Sequence, residues 1–213
     1  MQGAAMSQPP VIVGLGETLW DCFSDRRCLG GAPLNFACSA AELAQADTDV
    51  LLASSVGKDD LGSEAIVATR QHRVNTSAIQ RSDRPTGRVL VELNDAGVPS
   101  YQFEEDAAWD RFRWNEKLLC LAKVSSAVCF GSLGQRSAKS RQTIQRFVAS
   151  TSGNTLRVFD INLRPPFVNE AVIDESLRLA NVLKLNEASL LISIRFVSLQ
   201  DFLTVYALHF VNS

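Results

Sequence analysis

Five apolar runs punctuate the chain: Val11 to Leu15, Val50 to Ala53, Ser126 to Phe130, Leu156 to Ile161 and Val182 to Leu185. They are bounded by Gly, Asp or Ser and are continuous rather than alternating, which predicts strands covered on both faces. Between them, Leu34 to Ala46, Leu61 to Arg73, Ser137 to Ser150 and Ile173 to Ala180 carry apolar residues at helical spacing, as in Ile144, Phe147 and Val148. The order β, α, β, α predicts an α/β protein: a mostly parallel sheet with right-handed crossovers, flanked by helices.

One segment breaks this rhythm. Thr86 to Leu93 alternates, with Val89, Val91 and Leu93 on one face and Arg88, Leu90 and Glu92 on the other. Asn94-Asp95-Ala96-Gly97 then turns the chain into Val98 to Phe103, a β-hairpin signal. A second extended piece, Leu19 to Phe23, follows the first strand. Together these pieces predict a small β-lid beside the main sheet, and the absence of repeats or low-complexity linkers favours one domain with an appended flap.

Composition narrows the classes. The 213 residues carry 46% hydrophobic and 21% charged side chains and a formal net charge of −2, which excludes disorder and a basic nucleic-acid binder as defaults. Cys22, Cys28, Cys38, Cys120 and Cys129 form no C-x-x-C and have no His at zinc-ligand spacing, so free thiols and no metal site are expected. Met1 to Pro10 lacks the basic start of an export signal, and Arg195, Gln200 and Asp201 interrupt the apolar stretch Leu190 to Val211. A cytoplasmic protein without a membrane anchor is the expectation.

Candidate chemistry begins at Gly14-Leu15-Gly16-Glu17, where a dinucleotide fingerprint lacks its third glycine and its helix. A stronger set is Asp21 followed by Gly30-Gly31-Ala32-Pro33-Leu34-Asn35 at a helix entrance. A carboxylate accepts from a hydroxyl, a carboxamide both donates and accepts, and glycines let backbone groups approach closely, so the set suits a polyhydroxylated ligand. The alternative is structural: Gly30-Gly31 as a tight turn, Pro33 in the first helical turn and Asn35 as a polar helix residue.

Gly16-Glu17-x-x-x-Asp21 followed by Gly30 to Ala37 resembles the PfkB or ribokinase-like carbohydrate kinases, most closely the fructokinases. Further stretches agree in the same order: Val56 to Gly62, Thr86-Gly87 with the hairpin ending Gly97 to Tyr101, Ala108 to Asp110, Phe130 to Leu133, Phe159 to Arg164 and Leu183 to Glu187. The resemblance implies a ribokinase-like fold with a β-lid, ATP-dependent phosphorylation of a sugar hydroxyl, ATP and Mg2+ as cofactors, and a possible homodimer through the lid. It implies that Asp21, Gly30, Gly31 and Asn35 bind the sugar, that Tyr101 and Phe103 close over it, and that Arg164 holds a hydroxyl or an anionic group. Asn162 and Lys184 would lie near the phosphate path, and Asn186 would open the family's Asn-x-x-Glu motif. Against these stand plainer readings: Trp109 and Phe103 as core aromatics, Arg164 paired with a carboxylate such as Asp160, Arg136 as a solvated charge, and Cys22 and Cys28 as packing residues.

Three departures accompany the likeness. Ala44 replaces a usual glycine, and the run to Gly57 is longer than usual. Ser189 occupies the glutamate position of Asn-x-x-Glu, and a hydroxyl lacks the charge that orders a magnesium hydration shell. Residues 1–190 read as the N-terminal two-thirds of the kinase domain, with lid pieces near 19–23 and 86–103, followed by an unrelated apolar tail at 191–213. The family's Gly-Ala-Gly-Asp motif, with its catalytic aspartate, has no counterpart after Gly153. No catalytic base is therefore assigned, and negligible transfer by this chain is expected. The tail is read first as out-of-frame sequence, with a cover for the sheet or an interface as alternatives. A non-catalytic sugar-binding or partner-binding module is the alternative function.

Overall fold

The computed structural model describes residues 9–93 and 99–185. Its body is a six-stranded sheet in which every neighbouring pair is parallel. The strands are β1 (Val11–Leu15), β4 (Asp49–Gly57), β5 (Ile79–Ser82), β8 (Ala127–Gly131), β9 (Leu156–Asp160) and β10 (Val182–Lys184), in the order β10-β9-β8-β1-β4-β5. Helices α1 (Ala32–Leu43), α2 (Asp60–Gln71), α3 (Glu116–Val124), α4 (Ala138–Ala149) and α5 (Glu170–Leu179) connect them. Val13, Leu15, Val128, Phe130, Phe159 and Leu183 bury the sheet against Ile144, Phe147 and Ile173 of the helices. Phe130 and Phe159 stack across neighbouring strands at 5.4 Å.

Local chemistry fixes the helix starts. The side chains of Asp59, Asn115 and Asn169 accept hydrogen bonds from Gly62, Leu118 and Val172, capping α2, α3 and α5. The chain first winds from β1 through β4 to β5, then returns to place β8, β9 and β10 on the opposite side of β1. The winding reverses between β1 and β8, the position where open α/β sheets bind ligands beyond their carboxyl ends.

A second sheet forms the lid: β2 (Leu19–Cys22), β3 (Arg27–Gly30), β6 (Gly87–Leu93) and β7 (Pro99–Phe103), in the order β3-β2-β6-β7. Its β6-β7 hairpin follows the alternation in the sequence. Val89 and Val91 pack with Leu19, Trp109 and Leu133, while Arg88, Leu90 and Glu92 face outward.

Several elements depart from the pattern-based expectation. Strand β4 runs on through Ser54 and Ser55 to Gly57, because those serines are buried in a strand with both faces covered. Helix α1 stops at Leu43, where Ala44 is extended. Strands β3 and β5 and helix α3 were not anticipated. Arg27–Gly30 and Ile79–Ser82 are four-residue strands with little apolar content, and α3 buries only Leu118 and Ala122. The turn at 94–98, Asn186, Ser189 and the tail at 191–213 lie outside the described residues.

Candidate functional site

At the crossing from body to lid, Gly16, Glu17 and Thr18 link β1 to β2. Glu17 is fully buried. Its Oε1 accepts from the backbone N–H of Ala32 at 3.2 Å, and its Oε2 has no hydrogen-bond partner among the described residues. That oxygen faces Gly134, where an added Cβ would come within 2.9 Å. Burial pushes the Glu17 carboxyl up to about 7; the nearby Asp160 charge adds to the rise, while the Ala32 N–H and Arg164 oppose it. Glu17 thus sits at the β1-β8 reversal and joins the corner before α1 to the corner after β8. In the sequence Glu17 stands out only within Gly16-Glu17; a charged residue at the exit of an apolar strand is the signal of its burial.

Gly31, the residue before α1, has φ +116°, and a Cβ there would lie 2.5 Å from the Glu17 carbonyl. Glycine is required at this corner. At Gly30 a Cβ would lie 2.6 Å from Asp21 Oδ2, so the Asp21 carboxylate rests against bare backbone. Asp21 and Gly30 belong to the paired strands β2 and β3. Half-burial raises the Asp21 carboxyl above its ordinary range, and the Arg164 charge pulls the other way. Arg164 also lies over the Tyr101 ring at 5.8 Å, joining the loop after β9 to the lid.

The structure therefore brings Asp21, Gly30, Gly31, Arg164 and Tyr101 to one region. Phe103 joins them from the side, edge-on to Phe167 at 5.5 Å and packed against the lid core. Asn35 projects from the first turn of α1, exposed, and among the described residues its carboxamide has no hydrogen bond to Asp21. The structural reading of Pro33 in the first turn holds at the same time.

Beyond the ends of β9 and β10, Lys184 Nζ donates to Asp160 Oδ2 at 2.8 Å. Asn162 Oδ1 accepts from Arg164 Nη1 at 2.7 Å, and the Asn162 carbonyl accepts from the Ser132 hydroxyl at 3.5 Å. Asp160 thus pairs with Lys184, and Arg164 turns to Asn162 and Tyr101 instead. Among the described residues no cluster of three or more His, Cys, Asp or Glu forms a ready cage for a metal ion. All five cysteines are unpaired.

Arg136 is no solvated charge. Its side chain is 8% exposed and forms a two-pronged pair with Asp110, Nε to Oδ1 at 2.9 Å and Nη2 to Oδ2 at 2.7 Å. Trp109, buried against Gly87 at the root of the lid, covers one of its faces, so the core-aromatic reading of Trp109 is correct.

The family model described as pfkB family carbohydrate kinase matches residues 11–195. The chain belongs to that family. Among relatives of this pfkB-family chain, a sugar kinase of Pyrococcus horikoshii is 29% identical over 199 residues, spanning 85% of this chain and 63% of the relative. A Salmonella typhimurium fructokinase is 31% identical over 77% of this chain and 54% of its own length. This chain therefore spans less than two thirds of these relatives. The crystal structure of the uncharacterized Pyrococcus horikoshii sugar kinase superposes with a TM-score of 0.78 at 27% identity, covering 87% of this chain and 66% of that one. The same protein has also been solved in complex with ATP. A Xylella fastidiosa fructokinase with bound ATP shares the fold, with a TM-score of 0.76 at 23% identity over 87% of this chain and 60% of that one.

Proposed function

We propose that this chain supplies the acceptor half of an ATP-dependent carbohydrate kinase of fructokinase type, which phosphorylates a sugar hydroxyl. The observation that carries the reading is the Asp21 carboxylate lying against the bare backbone of Gly30, with the Arg164 charge acting on it and that guanidinium over the Tyr101 ring. A sugar ring entering there would meet an acceptor in Asp21, close backbone at Gly30 and Gly31, a donor in Arg164, and an aromatic edge from the lid. Asn35 would add a carboxamide from the helix entrance.

Lys184 and Asp160 form a charge pair at the carboxyl ends of adjacent strands, with Asn162 next to them, a donor and acceptor set suited to a phosphate-bearing cofactor. When bound, ATP with Mg2+ supplies the phosphoryl group and neutralises charge that develops on it. Lys184 would hold a phosphate oxygen, and Asn162 would orient it beside the acceptor. Asn186 keeps a place in this reading from the sequence alone. A soluble, cytoplasmic protein pairing through its lid completes the proposal, and light scattering checks the dimer.

A non-catalytic sugar-binding module is the second reading. It is favoured by Ser189 standing at the glutamate position of the family's Asn-x-x-Glu motif, where a hydroxyl lacks the carboxylate charge. Calorimetry of the 213-residue chain with fructose, ribose and related sugars, together with an ATP-consumption assay, tests both. Sugar binding abolished by Asp21→Ala supports the shared acceptor site, and ATP turnover decides for the kinase. A folded chain that binds none of these sugars removes both readings.

A further inference from the structure

A cavity of about 130 Å³ opens between the starts of α4 and α5, lined by Ser132, Gln135, Arg136, Arg141, Phe167 and Asn169 among others. Water occupies roughly 30 Å³ per molecule in the liquid, so the space admits a group larger than one water. Arg136 makes this cavity unusual. The Trp109 and Phe167 rings lie 4.0 and 4.8 Å from its guanidinium carbon. Asp110 and the Glu104 carbonyl take Nε and Nη2. The remaining nitrogen, Nη1, is buried without a hydrogen-bond partner among the described residues. A buried guanidinium donor of this kind calls for an acceptor.

A second lining charge points the same way. Arg141 spends its Nε on the Gln135 carbonyl and forms no ion pair among the described residues, so its charge is not compensated as that of Arg136 is by Asp110. The Gln135 amide is committed to Gly131, Ser176 and Gln145, which fixes that wall. Asn169 caps the ten-residue helix α5, whose first turn carries Glu170, so the helix end adds no net positive charge. Among the described residues no carboxylate lines the cavity.

We infer that this cavity is a binding site for a small oxyanion, a phosphate or carboxylate group drawn by the Arg136 and Arg141 guanidiniums that line it. It adjoins the acceptor region through two contacts: the Ser132 hydroxyl on the Asn162 carbonyl, and Phe167 on Phe103 of the lid. The oxyanion is either carried by the acceptor, as in a sugar phosphate, or is a free anion; the recognising chemistry is the same. The site does not depend on the acceptor reading.

The test titrates the full chain with inorganic phosphate by calorimetry in chloride at fixed ionic strength. Millimolar binding, weakened at least tenfold in Arg141→Gln, is the expected result. Arg136 is tied into the fold through Asp110, so the exposed-side variant carries the test, and circular dichroism verifies that both proteins are folded. Absence of phosphate heat from the folded chain, or equal affinity in Arg141→Gln, overturns the inference. Parallel titrations with fructose and fructose 6-phosphate assign the source. Tighter binding of the sugar phosphate, lost in both Arg141→Gln and Asp21→Ala, supports an oxyanion carried by the acceptor. Phosphate binding that persists in Asp21→Ala with no preference for the sugar phosphate supports a free anion. Loss of sugar binding alone would remove the proposed function and leave this site standing.

Discussion

Glu17 makes the folded protein a proton acceptor near neutrality. Its carboxyl titrates at about 7 in the fold, against 4.5 when unperturbed. Below the unperturbed value it is neutral in both states and has no effect. As the pH rises from about 4.5 to 7 the unfolded chain releases this proton while the folded chain keeps it, so stability falls across that window and levels off above it. The loss is roughly 3 kcal/mol by linkage, and Glu17→Gln should flatten it. Urea unfolding at pH 5 and pH 8 for both proteins measures this; parallel pH dependence in the two would refute the assignment. At Gly31 the backbone itself is the constraint. Gly31→Ala should lower stability by about 1–3 kcal/mol, because φ +116° strains a Cβ that would also press on the Glu17 carbonyl. A urea midpoint equal to that of the parent would contradict it. Of these two residues, Gly31 stood out in the sequence as part of Gly-Gly-Ala-Pro, whereas the burial of Glu17 depends on Gly134, far away along the chain. Arg136 escaped for the same reason: Trp109, Asp110 and Phe167 converge on it only after folding.

At the scale of elements, Asp59 ties helix to lid. Its Oδ1 accepts from Gly62 at the start of α2 and from the Thr86 hydroxyl, while its Oδ2 accepts from the Thr86 N–H just before β6. Burial alone would raise its carboxyl, but the Thr86 and Gly62 donors outweigh that and hold it below the ordinary range. Stability from Asp59 is present above its unfolded titration and is lost as pH falls through the lowered folded value. Asp59→Ala should cost about 1–2 kcal/mol at neutral pH, read as a drop in urea midpoint. The lid makes a second connection through Phe103 and Phe167. A double-mutant cycle with Phe103→Ala and Phe167→Ala should give a coupling of about 0.5–1.5 kcal/mol; additive losses would mean the edge contact contributes nothing. The long parallel strands and the alternating hairpin were legible from hydrophobic period alone. Four-residue β3 and β5 were not, because so short a strand is specified by its hydrogen-bonding neighbours rather than by its own pattern.

Across the whole molecule, the largest core lies in the body, and a smaller one holds the lid. The body cluster gathers Val13, Phe130, Phe147, Phe159 and Ile173 with many neighbours, while the lid cluster is held by Leu19, Val89, Val91 and Trp109. The smaller core predicts that amides of β6 and β7 exchange with solvent faster than those of β1, β4 and β8. Hydrogen exchange read by mass spectrometry checks this, and protection of the lid equal to that of the body would overturn it. The lid nevertheless remains attached at four places: residues 16–18, residue 31, residues 83–86 and residues 104–107. A plate joined to the body by four segments is restrained at each of them and is not hung on a single hinge. Asp21 and Gly30 lie on adjoining strands of that plate, so pairing fixes the carboxylate relative to its neighbouring backbone. In the proposed reading the cover and part of the sugar site therefore belong to one sheet, so a substitution that shifts the lid also shifts that site.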